Sequence, residues 1–353
     1  MLVPSFSRAV RFAVASYLRR RHSASDLDPR FKGMEAEMNY ELWRRAAARL
    51  GLHASECGPL LIVEHEHSGK RLVLMDFSLS SEGLVAYRVC GDKPLTCRLL
   101  RDAHVTVPTG MSFPSHQQAA AADYALALGK PCVVKPAKNT AAGIGVSVEL
   151  RSLKKIQRAL RLASLFCDEV LVEEFIPGDD YRCLVYRGKC LSLLRREIAS
   201  VAGNGKSTVR ELVERENQTR INLDRPWSEA QRMLAPLATG VQATKCLARQ
   251  NLGWESVPQE HRVVRLAVLA NFQHGTSYSE LLNETNRTII EAVERAALAV
   301  GATLAGVDLI SPDIRLPEYC VHEVNTTPGL SVHYSVDRDC QDPMAAILSS
   351  ELR

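Results

Sequence analysis

The sequence lacks the features that mark several large classes of protein. It contains no uninterrupted apolar run of about eighteen residues, which is the length that a membrane-spanning helix needs. Its 10 cysteines form no CxxC pair and no tight Cys/His cluster. A zinc site or a disulfide framework is therefore not expected, and the cysteines are interpreted as reduced, mostly buried thiols of a cytoplasmic protein.

A strong excess of charge is also lacking. The chain has 44 basic and 40 acidic residues, and a net charge of +4 is too small to indicate a nucleic-acid partner. Low-complexity tracts and repeats of fixed period are absent, so extended disorder and repeat architectures are excluded. The 353 residues exceed what a single hydrophobic core usually serves, and we expect two or three domains that share a cleft.

The N-terminal segment, residues 1–36, is basic. Its first 24 residues hold several arginines and no acid, with apolar residues at roughly helical spacing. A transit peptide, a membrane-surface helix and an ordinary amphipathic helix with a solvated basic face all show this pattern. A secretory signal is not favoured, because an apolar core followed by a small-residue cleavage site is missing.

The rest of the chain alternates helical and extended patterns, which predicts an α/β (α+β) fold. Helices are expected at 40–51, 92–108, 115–129, 152–166, 208–218, 227–250, 285–301 and 342–352. Strands are expected at 60–65, 71–77, 131–137, 146–150, 169–174, 180–186, 189–197, 262–272, 304–311 and 319–325. Residues 37–91 read as a small α/β unit that precedes the larger part of the chain.

A glycine-containing loop connects two predicted strands in "VVKPAKNTAAGIGVSV". Lys135 ends the first strand, and Gly143 and Gly145 lie in the turn before the next strand. Glycines let backbone N–H groups close over phosphate oxygens, and a lysine adds a point charge for the same anion. The segment has no GKS or GKT sequence and is not a P-loop, so a plain turn is the alternative.

An apolar strand ends in acidic residues in "VLVEEFIPGDDYR". A nucleotide along this strand would use a backbone edge near Glu173 and Glu174 for its base, Phe175 or Ile176 for packing, and Asp180 for the ribose hydroxyls. The alternative is a surface turn with solvated acids.

A candidate cation site lies in the last two strands. Asp308 interrupts the apolar segment "LAGVDLIS", and Glu323 and Asn325 share one face of "YCVHEVN". Hairpin pairing would place Asp308 opposite this second strand. Two carboxylates and an amide form an all-oxygen ligand set of the kind that Mg²⁺ prefers.

Together with further motifs, these elements resemble the ATP-grasp superfamily of carboxylate–amine ligases. The additional motifs are "DKPLTCRLL…VP", "GDDYRCLVYRGKCLSLLRRE…GNGKSTVRELVERENQ", "LARQNLGWESVP" and "EVNTTPGLSVH". They are similar to segments of cyanophycin synthetases and of the ligase module of bifunctional glutathione synthetases. The resemblance covers about residues 85–350, and it implies two α/β subdomains that clasp ATP, preceded by a small α/β N-terminal domain.

The resemblance also implies roles for individual residues. Lys93 and Lys135 would hold the ATP phosphates beneath a lid loop at 138–146, while Glu173, Phe175 and Asp180 would hold adenine and ribose. Asp308, Glu323 and Asn325 would ligate Mg²⁺, or Mn²⁺ in its place. Arg182 and Arg196 would face the phosphates or an acyl phosphate, where guanidinium groups suit dispersed negative charge.

The chain departs from the family pattern around the acceptor side of the site. Ala267 stands where relatives carry a catalytic arginine, and Arg265, two residues earlier, would replace it through a shifted strand register. Asn204 replaces an aspartate, Ile198 replaces a proline, and "QHGTSYSELLNET" differs from the relatives' substrate signature. Candidate substrate contacts are His274, Thr327, Gly329 and His333.

The function implied by the resemblance is ATP- and Mg²⁺-dependent amide formation between two amino acids, or between an amino acid and a small peptide, through an acyl phosphate. A nucleotide-binding regulatory protein that has lost ligation is the alternative. We expect a stand-alone cytoplasmic enzyme of secondary metabolism with small-molecule partners, no nucleic acid and no membrane; a homodimer would be in keeping with the superfamily. The expected boundaries are 92–350 for the ligase domain, 130–202 for the ATP-clasping subdomain, 203–262 for a helical insertion and 263–350 for the metal and substrate subdomain.

Overall fold

The computed structural model describes five stretches of the chain. They are residues 29–140, 143–220, 234–270, 275–336 and 342–353, with side chains described from residue 37 onward. The predicted basic segment 1–36 therefore lies almost wholly outside the described residues. Within the described part, no helix is both long and apolar enough to span a membrane.

Helices and strands alternate along the described chain. The helices are α1 Pro29–Arg49, α2 Leu84–Cys90, α3 Lys93–Asp102, α4 Gln118–Ala127, α5 Leu153–Ala163, α6 Val209–Thr219, α7 Val241–Arg249, α8 Arg287–Ala299 and α9 Pro343–Leu352. The strands are β1 His53–Cys57, β2 Leu60–Glu64, β3 Arg71–Met75, β4 Ser78–Leu79, β5 Gly110–Pro114, β6 Cys132–Pro136, β7 Ser147–Leu150, β8 Glu169–Glu174, β9 Asp179–Tyr186, β10 Lys189–Glu197, β11 Ser200–Ala202, β12 Val263–Arg265, β13 Ser277–Glu280, β14 Leu304–Ser311 and β15 Cys320–Asn325.

The central sheet has the antiparallel strand order β13-β10-β9-β14-β15. Strands β9 and β10 are joined by Arg187 and Gly188, whose φ angles of 47° and 73° fit the tight hairpin turn expected from "RGK". One face of the sheet packs against α8, and Cys183, Val307 and Leu309 lie fully buried in this core.

The opposite face of the central sheet is divided in two along its strands. At one end Leu184, Tyr186 and Leu304 join a core formed with α1, the sheet β1-β2-β3-β4 and α9. Alternation along the strands puts Arg182 and Asp308 on this same face, farther along. The apolar end is covered by the terminal elements, and the charged end becomes the floor of the candidate site.

A second sheet, which we call the lid-side sheet, has the order β5-β8-β6-β7. Helices α4 and α5 cover it, with Ala121, Leu160 and Val172 among its fully or nearly fully buried residues. The connection from β6 to β7 is the predicted glycine-containing loop. The two sheets and their helices bear out the predicted α/β architecture.

Several elements differ from the sequence-based prediction. The helix expected to extend to the vicinity of Pro108 ends at Asp102, and the unpredicted α2 precedes it. As far as the expected strand 262–272 is described, up to residue 270, it is limited to β12, which pairs with β11 at the base of the predicted insertion. Strand β13 was not predicted, because its polar sequence "SYSE" shows no apolar alternation. The predicted domain boundaries stay predictions.

Candidate active site

Three charged residues form a row across the central sheet. In the strand register, Arg182 of β9 is paired with Asp308 of β14, which in turn is paired with Glu323 of β15. Directly opposed residues of antiparallel strands project from the same face. The predicted pairing of Asp308 with the "HEVN" strand is therefore correct, and Asn325 lies two residues farther along, opposite Gly306.

Asp308 is held by two arginines. Its side chain is 2% exposed; Arg182 donates to it through Nε and Nη2, the latter at 2.9 Å, and Nη2 of Arg196 lies 3.3 Å from Oδ2. Burial alone would raise the pKa of Asp308, but the two guanidinium groups lower it to about 2. The carboxylate is therefore ionised at neutral pH.

Arg196 links Asp308 to a second acid. Its Nε and Nη2 donate to Oδ1 of Asp180 at 2.9 and 2.5 Å. Burial lowers the pKa of Arg196, but Asp308 and Asp180 together raise it well above its usual range, so this arginine stays charged. Asp180 was predicted to bind a ribose; in this structure it belongs instead to the arginine–acid cluster.

Lys93 connects Glu323 to the glycine-containing loop. The lysine begins α3, whose N-cap is Asp92, and its Nζ lies 3.2 Å from Oε1 of Glu323. The same Nζ donates to the carbonyl oxygen of Thr140 at 3.1 Å. A predicted phosphate ligand and a predicted metal ligand are thus in direct contact.

Lys135 pairs with Glu173 in the lid-side sheet. Nζ of Lys135 is 2.7 Å from Oε2 of Glu173, and the two side chains are 7% and 4% exposed. Burial lowers the pKa of Lys135, but Glu173 and then Glu323 raise it, so the lysine is charged. Glu323 of the central sheet thus helps to keep Lys135 of the lid-side sheet protonated.

The first residues of the predicted lid are anchored. Lys138 lies 3.0 Å from both Asp92 and Glu169, and the N–H of Asn139 donates to the carbonyl oxygen of Gly91. Residues 138–140, where the lid was predicted to start, are thus held by α3, β8 and the residues before α3. Residues 141 and 142 lie outside the described residues.

The two predicted loop glycines have different surroundings. Both have positive φ angles, 71° at Gly143 and 76° at Gly145. A Cβ at position 145 would lie 2.8 Å from Pro136 and 2.9 Å from Phe166, whereas a Cβ at position 143 would meet, among the described residues, only Leu269, at 3.5 Å. Gly145 is thus required by packing and by backbone conformation, and Gly143 by conformation alone.

The predicted adenine-binding strand has no unpaired edge. Strand β8 lies between β5 and β6, and the N–H groups of Glu174 and Phe175 donate to the carbonyl oxygens of Thr109 and Pro131. The Glu174 carboxylate contacts Lys130 and accepts a hydrogen bond from the N–H of Thr109. The predicted backbone contact to adenine is wrong for these two N–H groups, and Phe175 and Ile176, both half-buried, are the members of this set that remain candidates for packing against a base.

The predicted substrate residues lie in different environments. Thr327 is exposed and Gly329 half-buried, whereas the His333 ring is fully buried with Nδ1 2.7 Å from Oγ of Ser192. Burial and nearby Arg182 lower the pKa of His333 to about 3, which keeps it neutral. His333 is therefore an interior residue rather than part of a substrate-accessible wall. His274 lies outside the described residues.

The shifted-register hypothesis for Arg265 is wrong in its premise. Strand β12 ends at Arg265, which is paired with Ser200 and is exposed, whereas Ala267 is buried in a separate apolar cluster. The two positions do not continue one strand face. Arg265 consequently does not occupy the environment of the residue it was expected to replace.

Two glycines of the site were not singled out from the sequence. A Cβ at Gly110 would lie 2.7 Å from Cγ of Glu173, and one at Gly306 would lie 3.0 Å from Pro328 and 3.2 Å from Cδ of Arg182. Gly306 shares a strand face with Asp308, two residues away, and this spacing was the available signal. No such signal was available for Gly110, because the strand that pairs with it lies about sixty residues away in the sequence.

The geometry can be compared with known proteins. Residues 103–219 match the family model described as the D-ala D-ala ligase C-terminus. The glutathione biosynthesis bifunctional protein GshAB of Listeria monocytogenes (strain F2365) is 33% identical over 258 residues, which is 72% of this chain. The chain carries an ATP-grasp domain. This confirms the recognition made from the ordered motifs.

Other ATP-grasp relatives extend the comparison. Cyanophycin synthetase of Crocosphaera subtropica is 28% identical over 270 residues, 75% of this chain and 30% of that protein. The crystal structure of a bifunctional glutathione synthetase from Pasteurella multocida superposes with a TM-score of 0.63 at 23% identity, covering 89% of this chain and 43% of that one. The latter likeness shows the ATP-grasp fold. The chain spans about a third of the length of the curated relatives it matches, 33% in the case of the Listeria protein.

Proposed function

We propose that this protein is an ATP- and Mg²⁺-dependent carboxylate–amine ligase that joins two amino acids, or an amino acid and a small peptide. The observation that carries the proposal is the convergence of cations and carboxylates where the two sheets face each other. Lys93 contacts Glu323 of the central sheet, and Lys135 contacts Glu173 of the lid-side sheet. Arg182 and Arg196 both contact Asp308. Such a site suits a polyphosphate and a cation.

The donor set fits the predicted cation. In the described ranges, no group of three or more His, Cys, Asp or Glu side chains is placed to hold a metal ion. From the predicted ligand set, a cation here would take Asp308 and Glu323, with Asn325 and ligand oxygens completing its shell, a hard set suited to Mg²⁺. When bound, it would neutralise phosphate charge.

The reaction follows from these roles. The γ-phosphoryl group of ATP passes to a carboxylate oxygen of the first substrate, giving an acyl phosphate and ADP. The amine of the second substrate attacks the acyl carbon, phosphate leaves with the electron pair of the broken C–O bond, and the ammonium proton is lost as the amide forms. Lys93, Lys135, Arg182 and Arg196 would bind and orient the phosphate oxygens, and the loop beyond Thr140 would exclude water from the acyl phosphate.

The finer assignments belong to the same proposal. Free cysteines, most of them buried in the described residues, support a cytoplasmic location. Homodimerisation, a role in secondary metabolism and the domain boundaries given above are proposed from the family resemblance. The relatives are named as biosynthetic proteins and synthetases, so the comparisons give no support to a regulatory protein without ligase activity.

An ADP-release assay tests the proposal. The protein is incubated with ATP, Mg²⁺ and each amino acid alone and in pairs, and products are identified by mass spectrometry. We expect ADP release to rise with at least one pair and to coincide with a condensation product. ADP release at background level for every amino acid, pair and small peptide would reject ligation.

A matched pair of variants ties the activity to the site. Glu323→Ala should abolish Mg²⁺-dependent turnover because it removes a cation ligand. Glu318→Ala, an exposed acid just before β15, should leave turnover unchanged. Equal activity in both variants would remove Glu323 from the cation site.

A further inference from the structure

One segment crosses the face of the central sheet that carries Arg182 and Asp308. It follows β15 and comprises residues 326–333, which we call the crossing segment. Near its start, a Cβ at Gly306 of β14 would lie 3.0 Å from Cβ of Pro328 and 3.2 Å from Cδ of Arg182. The crossing segment therefore passes over β14 and beside Arg182.

The far part of the crossing segment reaches the opposite edge of the sheet. Val332 lies in one buried cluster with Leu194 of β10 and Tyr278 of β13. The ring of His333 lies against Ser192 of β10. Since the strand order is β13-β10-β9-β14-β15, the segment runs across the sheet from one edge strand towards the other. Its position over the site depends on how this far end is held.

A largely buried chain of hydrogen bonds fastens the far end. Oγ of Ser192 donates to Oε2 of Glu280 on β13 and lies 2.7 Å from Nδ1 of His333. Oε1 of Glu280 accepts the N–H groups of Leu193 and Leu282, each at 3.0 Å. A hydroxyl has a single proton, so Ser192 accepts a hydrogen bond from Nδ1–H of His333 while it donates to Glu280. His333 is thus tied through two side chains to the backbone of β10.

These hydrogen bonds fix the crossing segment more narrowly than apolar packing does. Leu330 and Val332 also anchor the segment, but their apolar contacts tolerate small displacements. A buried hydroxyl between one donor and one acceptor allows a single arrangement, because any other leaves polar atoms unpaired. The network of Ser192, Glu280 and His333 therefore sets where the segment lies.

The crossing segment is well placed to pass this constraint to the site. All of residues 326–333 are described; Thr327 is exposed and Gly329 half-buried, whereas the other six are buried. These two residues flank Pro328, which lies beside Arg182. Packed residues transmit a displacement to their neighbours instead of absorbing it. A shift at His333 therefore moves the wall of the site at Thr327.

Resting on the proposed function, we infer that His333 is a positioning residue: with Ser192 and Glu280, it fixes the crossing segment beside Arg182 so that the carboxylate substrate is held in line with the phosphoryl group. The network acts through the segment and does not touch the reacting groups. It governs the orientation of the carboxylate substrate, to which group transfer is sensitive at displacements of about 1 Å, and leaves nucleotide binding unaffected.

Steady-state kinetics of variants tests this role. The probe is the amino-acid or peptide pair that gives the highest ADP release with the wild type. Ser192→Ala breaks the chain of hydrogen bonds and should lower kcat by about tenfold or more. Its affinity for a non-hydrolysable ATP analogue with Mg²⁺, measured by calorimetry, should stay within about twofold of the wild type. Ser164→Ala is the matched control: it removes another buried hydroxyl, just after α5, and should keep the wild-type kcat.

Two replacements of His333 separate hydrogen bonding from packing. The amide of Asn branches at the same distance from the backbone as Nδ1 and can donate to Ser192, whereas the amide of Gln lies one bond farther out. His333→Asn should therefore retain more of the wild-type kcat than His333→Gln, although Gln fills more of the space of the ring. The double variant of Ser192→Ala with His333→Gln should be no slower than the slower single variant, since both changes break one chain.

The outcomes separate this inference from the proposed function. Folded variants with the wild-type kcat would overturn the positioning role and leave ligation in place. Equal losses of kcat and of nucleotide affinity, or a higher kcat for Gln than for Asn, would also overturn it, because they indicate a general loss of packing. A wild type that releases no ADP with any pair would reject ligation and this role with it. Circular dichroism checks folding, and if Ser192→Ala does not fold, the two His333 variants decide.

Discussion

The two sheets of the ATP-grasp domain each bury one acid, but they compensate it differently. In the lid-side sheet, Glu173 has a single lysine partner, Lys135, at 2.7 Å. In the central sheet, Asp308 has two arginine partners, one of them shared with Asp180. A one-to-one pair resembles an ordinary buried salt bridge, whereas the central cluster joins two arginines and two acids in one network, so that removing a single member affects several partners.

The comparison predicts the largest loss of stability from Asp308→Asn. This change leaves Arg182 and the largely buried Arg196 without the carboxylate between them, and we expect the free energy of unfolding by urea to fall by about 3–5 kcal/mol. Asp313→Asn, which removes a half-buried acid paired with the exposed Arg315, serves as the control and should show a much smaller change. Similar losses in both variants would contradict the special role of the central cluster.

The lid-side pair should be replaceable as a unit. Glu173→Gln leaves a buried, unpaired Lys135 and should cost about 3 kcal/mol of unfolding free energy. The double variant Lys135→Met with Glu173→Leu should regain most of that loss, because neither charge is then buried alone. The comparison between the sheets breaks down if the double variant is as unstable as the single one in urea.

Acid should weaken the central sheet through Asp308. Its pKa in the folded protein is about 2, below its ordinary value of 3.8. The folded state therefore releases this proton more readily than the unfolded chain, and the resulting stability of about 2 kcal/mol is present above pH 4 and lost as the pH falls towards 2. Between pH 5 and pH 2, the free energy of unfolding measured with urea should fall less steeply with pH in Asp308→Asn than in the wild type. Equal slopes in the two proteins would refute the assignment of this pH dependence to Asp308.

The smallest predicted effect compares the two glycines beside the buried acids. Gly110→Ala would place Cβ 2.9 Å from the backbone oxygen of Val172, whereas Gly306→Ala meets side chains at 3.0 and 3.2 Å. Both should destabilise the protein by about 1–3 kcal/mol, with Gly110→Ala at the upper end because a backbone atom yields less readily. Thermal unfolding that ranked Gly306→Ala as the more damaging change would reverse the argument.

The central sheet shows which structural features could be predicted from the sequence. Long apolar runs and the "RGK" turn predicted β9, β10, β14 and β15, and the expected hairpin pairing placed Asp308 opposite the "HEVN" segment correctly. Such features are local, or depend on neighbouring strands. They were enough to predict these four strands of the central sheet and the presence of charged residues on it.

Pairing between distant residues could not be predicted in this way. Arg182 and Asp308 are separated by 126 positions, and only the β9–β14 register brings them together. Strand β13 and helix α2 were missed for a related reason. "SYSE" gains its extended form from pairing with β10, and α2 exposes Leu84, Val85 and Tyr87, contrary to the usual amphipathic pattern.

The most direct test of a nucleotide site between the sheets is calorimetric titration of the wild type with ATP and Mg²⁺. We expect binding of a single nucleotide per chain, and about tenfold or greater weakening in Lys93→Met, which loses a charged phosphate ligand. Lys154→Met, on the exposed side of α5, should bind as the wild type does. The account would be contradicted by a wild type that binds no nucleotide, or by a Lys93→Met variant that binds it unchanged.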